Sequence, residues 1–138
     1  MSGVYAMTLV TWDKSMRVGD ARIDDQHKRL FDIANRFHEA YEAGRDHGEL
    51  LSLLDELVSY TKTHFADEEG HMRRYQIPDA EQHHEQHQKL LKLLMNFRAR
   101  LALGEGGAER NAMEFIKIWL SSHTRGADVH MGQRAGVR

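Results

Sequence analysis

Cysteine is absent from all 138 residues. That excludes disulfides, thiolate zinc sites, iron–sulfur clusters and c-type haem attachment together. Proline occurs once, at Pro78, so long helices would meet almost no interruption. No apolar run reaches the roughly 18 residues that a membrane-spanning helix needs, so no membrane span is expected. Neither sign of charge dominates: the net charge is -2 with histidines neutral, and nothing in that balance attracts nucleic acid or anionic lipid. The opening MSGVYAMTLVTWDKS has no basic end followed by a long apolar stretch, so it does not read as a secretion signal, and a cytoplasmic protein is the expectation. Aromatic residues are few, with four tyrosines and two tryptophans, whereas histidine occurs ten times.

The length argues for a single domain over 1–138, and the abundance of helix formers predicts an all-α protein. After an irregular arm over 1–23, Asp24 is placed to cap a first helix over about 24–43. His27, Leu30, Phe31, Ala34, Phe37 and Tyr41 recur there at steps of three and four and form one inward stripe. Asp46 and Glu49 read as a capping box at the start of a second helix, about 46–72. Its stripe carries Leu50, Leu54, Leu57, Val58, Thr61, His64, Phe65, Glu68 and Met72. Pro78 suits the opening of a third helix, about 79–103, with His83, His87, Leu90, Leu91, Leu94, Phe97 and Leu101 inward. A turn, LGEGGAE, leads to a fourth helix over about 108–127, with Met113, Ile116, Trp119, Leu120 and His123 on its apolar side. Residues 129–138 read as a frayed tail.

Short connections favour an antiparallel, up-down-up-down four-helix bundle. In that arrangement the start of one helix lies level with the end of the next. His27 begins the first helix, His64 is late in the second, His83 and His87 begin the third, and His123 ends the fourth. All five are therefore expected at the same end of the bundle.

One histidine on an apolar stripe is usually a hydrogen-bonded core residue. Here all four helices supply one at the same level, with acids beside them, and an unsatisfied buried polar group costs about 1–3 kcal/mol. A metal centre would satisfy the whole group. Imidazoles with carboxylates suit iron, zinc, copper or nickel better than calcium or magnesium. Seven candidate ligands (five histidines, two acids) exceed one tetrahedral zinc and suit two metals bridged by carboxylates. His38, His47, His71, His84 and His130 read instead as solvated or edge residues.

The pieces DDQH (His27), HFADE (His64, Glu68), HHEQH (His83, His87) and WLSSHTRGAD (Trp119, His123, Asp128) resemble the hemerythrin family, specifically the bacterial single-domain bacteriohemerythrins, over about residues 10–129. The resemblance implies two iron ions, cycling between Fe2+ and Fe3+, joined by an oxo or hydroxo bridge. By the same resemblance His83, His87 and His123 hold one iron, His27 and His64 hold the other, and Glu68 and Asp128 bridge both. If each iron takes six ligands, this set leaves one position open, on the iron held by His27 and His64. Dioxygen is the partner that such a position implies. Leu30, Phe65, Trp119 and Leu120 would line the pocket around it and exclude water.

The resemblance thus implies reversible O2 binding for carriage, storage or scavenging by a monomer, not an enzyme. The alternatives are an O2- or redox-sensing domain of a signalling system and a di-iron enzyme that detoxifies peroxide or nitric oxide. One step of the pattern departs from a regular helix: Asp128 lies five residues past His123, which at about 100° per residue puts the two roughly 140° apart. They converge only if the helix widens into a π-type turn or ends between them. Thr124 and Gly126 also stand where the family commonly has an apolar residue and a better helix former, and the tail lacks the family's usual aromatic ending.

Overall fold

A carboxylate four residues earlier than the sequence suggests opens the first helix. Asp20, in extended backbone, accepts the Ile23 N–H at 3.1 Å and caps α1 (Ala21–Glu42). Asp24, expected in that role, lies inside the helix and is buried. Its Oδ1 and Oδ2 accept the backbone N–H groups of Val18 and Gly19 at 2.8 and 3.3 Å. A buried carboxylate within reach of loose N–H groups binds them, so Asp24 fastens the arm while Asp20 takes the cap.

The computed structural model describes residues 9–124; the expectations for Gly126, Asp128, His130 and the tail lie outside them. Within that range a short 3-10 turn at Lys14–Met16 precedes α1, followed by α2 (His47–Arg74), α3 (Ala80–Ala102) and α4 (Ala108–His123). No strand occurs among the described residues, and none of their helices is long and apolar enough to cross a membrane. Asp46 caps α2 by accepting the Glu49 N–H at 2.8 Å, as the capping-box spacing suggests.

Each helix packs against its neighbours in the closed order α1, α2, α3, α4 and back to α1. The directions follow from who meets whom. His27, early in α1, reaches Glu68, late in α2. Arg98, late in α3, pairs with Asp55, early in α2, at 2.6 Å. The result is the expected all-α, antiparallel four-helix bundle.

The apolar stripes close the middle and far end of the bundle. Ile33, Phe37, Leu54, Leu57, Leu94 and Ile116 are fully buried there, each such side chain contributing about 1.5–3 kcal/mol. The arm is laced onto this barrel of helices. Asn35 in α1 accepts the Val10 N–H and donates to the Val10 carbonyl, at 3.0 and 2.9 Å, in the manner of a strand partner. With the far end packed mainly by hydrocarbon, the histidines and acid of the stripes gather at the other, His38 apart.

Candidate metal centre

Glu68 stands at the middle of that polar end, with no exposed surface. Its position on α2 follows from the helical step: His64 is one turn earlier on the same face. Oε2 lies 2.8 Å from His27 Nε2 and 3.0 Å from His64 Nε2. Oε1 lies 3.0 Å from His87 Nε2 and 3.6 Å from His83 Nε2. One carboxylate is thus divided between two histidine groups.

Two ligand-competent sets result, sharing Glu68. His27, His64 and Glu68 form one; Glu68, His83, His87 and His123 form the other, with the donor atoms of each set within 4.8 Å of one another. His27, His64, His83 and His87 are buried, and His123 is half-buried. Asp128, the remaining expected ligand, lies outside the described residues. Thr124, directly after His123, still has α-helical backbone, its N–H bonded to the Leu120 carbonyl.

The outer nitrogens of two ligands disclose their tautomers. Gln26 Nε2 donates to Asp67 Oδ2 at 2.6 Å, and Asp67 also receives Arg22 at 3.0 Å. A carboxylate only accepts, so Gln26 must turn its Oε1 to His64, whose Nδ1–H donates to it at 2.8 Å. His87 Nδ1–H likewise donates to Glu69 Oε2 at 2.9 Å, and His84 Nδ1–H donates to Glu69 Oε1 at 2.7 Å. Burial pushes the Glu69 carboxyl up, but the hydrogen bonds from His87 and His84 outweigh it and hold the group below its ordinary value. Glu69 is an anion in this place.

With Nδ1 donating outward, His64 and His87 turn Nε2 toward the carboxylate oxygens of Glu68. Where Nε2 is unprotonated, as a ligand nitrogen must be, acceptor faces acceptor at 3.0 Å and positive charge is needed between them. A cation on each side of Glu68 removes the conflict, and nitrogen with carboxylate oxygen is the donor set that iron accepts.

An aromatic wall backs the second set. Phe65 stacks on His87, approaches His64 at 6.1 Å and His123 at 6.2 Å between centroids, and meets Trp119 edge-on at 6.0 Å. Leu30 and Leu120, also expected near the site, are 2% exposed and belong to the same apolar cluster as Phe65 and Trp119. On the outer side a groove of about 490 Å³ between α3 and α4 reaches Trp119 and His123.

The histidines expected to be solvated divide. His47 is exposed, as is 44% of the His84 side chain. His71 is buried, against expectation, because α2 runs on to Arg74 and its Nδ1 faces Asp20 at 3.6 Å. His38 is buried too, with Nδ1 3.3 Å from Met113 Sδ, because it continues the inward stripe of α1 toward the far end. Neither joins the cluster around Glu68. Sequence reasoning missed Gln26 and Glu69. Each directly adjoins a ligand position, His27 and Glu68, and that adjacency was the available signal.

Comparisons with known proteins agree with this geometry. The family model described as hemerythrin HHE cation binding domain matches residues 18–135. A bacteriohemerythrin of Methylococcus capsulatus is 32% identical over 120 residues, 85% of this chain and 89% of that protein. A bacteriohemerythrin of Pseudomonas aeruginosa is 31% identical over 123 residues, covering 88% and 78%. Among solved structures, wild-type hemerythrin superposes with a TM-score of 0.82 at 28% identity, over 91% of this chain and 96% of that one.

Proposed function

From the premise that this chain belongs to the hemerythrin family, non-haem di-iron proteins that bind oxygen, we propose that it is a reversible O2 carrier, store or scavenger and not a catalyst. In this reading His83, His87 and His123 hold one iron, and His27 and His64 hold the other. Glu68 and, outside the described residues, Asp128 would supply the carboxylates shared by the pair, with an oxo or hydroxo group beside them. The observation that carries the reading is the division of Glu68, with Oε2 toward one histidine set and Oε1 toward the other.

When bound, a ferrous pair would supply the electrons for reversible O2 binding. The chain does the rest. Gln26 and Glu69 would hold Nδ1 of His64 and His87, so that Nε2 of each is the nitrogen turned toward the metal site. Phe65, Trp119, Leu30 and Leu120, none more than 4% exposed, keep water and protons from the ligands.

Ligand charge favours binding over oxidation. Ferritin-like di-iron centres add Glu-x-x-His pairs to further glutamates. Glu68 and His71 have that spacing, yet His71 turns to Asp20 and leaves the cluster. The set is left rich in neutral imidazole and poor in anions, which gives little support to the high iron oxidation states that O–O cleavage requires.

Optical titration of the reduced, colourless protein with O2 tests the proposal. A visible band that appears with O2 and vanishes on degassing is the expected result. Oxidised iron that never releases O2 overturns it in favour of a redox sensor or a peroxide- or nitric-oxide-detoxifying enzyme.

A further inference from the structure

One histidine of each set, His64 and His87, differs from the other in what stands behind it. On one side, His87 donates its Nδ1–H to the carboxylate of Glu69 at 2.9 Å, and that carboxylate is only 14% exposed. On the other, His64 donates to the neutral amide of Gln26 at 2.8 Å. The nearest anion behind Gln26 is Asp67, one hydrogen bond further out and paired with Arg22, whose side chain is 74% exposed. An anionic acceptor draws the imidazole proton toward itself and makes Nε2 a stronger electron donor; a neutral amide does this less.

We propose that Glu69 and Gln26 are positioning residues that make the two iron positions unequal, Glu69 favouring the ferric ion at the His83–His87–His123 position and Gln26 sparing the ferrous ion at the His27–His64 position. The inference rests on the di-iron reading above and adds an order of oxidation to it. With iron bound, the position behind which Glu69 stands would be the easier to oxidise and the position behind which Gln26 stands the harder. The iron with the vacant position for O2 is thereby the one held longer in the ferrous state, the state that O2 requires.

His84 completes the device. Its Nδ1–H donates to the second oxygen of Glu69 at 2.7 Å, so neither carboxylate oxygen is free to swing away from His87. Gln26 is held as firmly, with its oxygen on His64 and its nitrogen on Asp67. Both outer acceptors are therefore rigid, and the difference between them is one of charge.

The test is an anaerobic spectroelectrochemical titration of the iron-loaded protein with redox mediators, which exchange one electron with each ion in turn. Glu69→Gln keeps an oxygen to accept the His87 proton and removes only the charge. It is expected to raise the lower of the two midpoint potentials by about tenfold in the one-electron equilibrium, about 59 mV. Gln26→Glu, made together with Asp67→Asn so that the new carboxylate meets an amide donor and not a second anion, places a charge directly behind His64 and is expected to lower the upper midpoint by a similar amount. Both variants narrow the separation, from opposite sides, and a merely orienting role predicts no movement in either. An unchanged or wider separation in Glu69→Gln, with two irons bound, overturns the inference and leaves the di-iron reading standing. If Glu69→Gln does not hold its iron, the Gln26→Glu and Asp67→Asn double variant decides alone by the same criterion. Wild-type protein that binds fewer than two irons per chain overturns both readings together.

Discussion

The ring of Phe65 lies flat on the imidazole of His87, with centroids 3.8 Å apart and planes inclined by only 2°. The contact covers one face of the His87 imidazole, and Trp119 stands edge-on behind Phe65. Phe65→Leu preserves most of the buried volume and removes the flat cover. It is expected to shorten the lifetime of the oxygenated form several-fold, measured as decay of the O2-dependent visible band in air. Phe65→Ala is expected to do so more strongly and to cost about 3–5 kcal/mol of stability. An unaltered lifetime in Phe65→Leu with full iron content shows that the ring is packing alone.

Iron content separates the shared ligand from an unshared one. Glu68 serves both sets, so Glu68→Ala is expected to drive iron toward zero per chain. His64 serves only one, and His64→Ala is expected to leave the His83, His87 and His123 set able to keep an ion, giving about one iron per chain. Metal analysis of purified protein reads both outcomes. A wild-type iron content in either variant refutes the ligand assignment.

The difference between these variants was partly legible before any coordinates. Helical steps of three and four put His64 with Glu68 and His83 with His87 on single faces, and antiparallel connections bring five histidines to one end. Only the coordinates show how Glu68 splits its two oxygens, because that depends on side-chain torsions and not on spacing. Gln26 and Glu69 escaped for a related reason: each acts across a helix interface, on a histidine of the neighbouring helix. His71 and Asp24 were misjudged because the arm folds back over the bundle end, bringing Asp20 to His71 and the Val18 N–H to Asp24, and no periodicity encodes that contact.

His38 supplies the control. It is as buried as His71 and lies on the same stripe as His27, but three turns further along α1, where Met113 Sδ receives its Nδ1. A thioether is a weak acceptor, so the bond contributes little beyond packing. His38→Ala is expected to cost about 0.5–3 kcal/mol in denaturant unfolding while two irons per chain remain. Loss of iron equal to that of His64→Ala places the metal elsewhere in the bundle.

Removing the metal tests how far the site is part of the fold. Without cations, the Nε2 lone pairs of His64 and His87 face the oxygens of a fully buried Glu68. Protons must then enter, or the bundle end must loosen and admit water. Binding to the folded state alone adds about 4 kcal/mol when free metal exceeds its dissociation constant by about 1,000-fold. For a chain of this length that corresponds to roughly 14 °C in melting temperature. Chelation under reducing conditions is therefore expected to lower the thermal midpoint by about that much, followed by circular dichroism at 222 nm, the usual helix band. Acid has the same effect by another route, since imidazoles must be unprotonated to ligate. The loss should concentrate at the bundle end. Hydrogen exchange ought to quicken at His27, His64 and His87 while the amides of Phe37, Leu54 and Ile116 stay protected. Uniform loosening along all four helices contradicts a local site, and an unchanged midpoint after complete metal removal contradicts a site of these buried ligands.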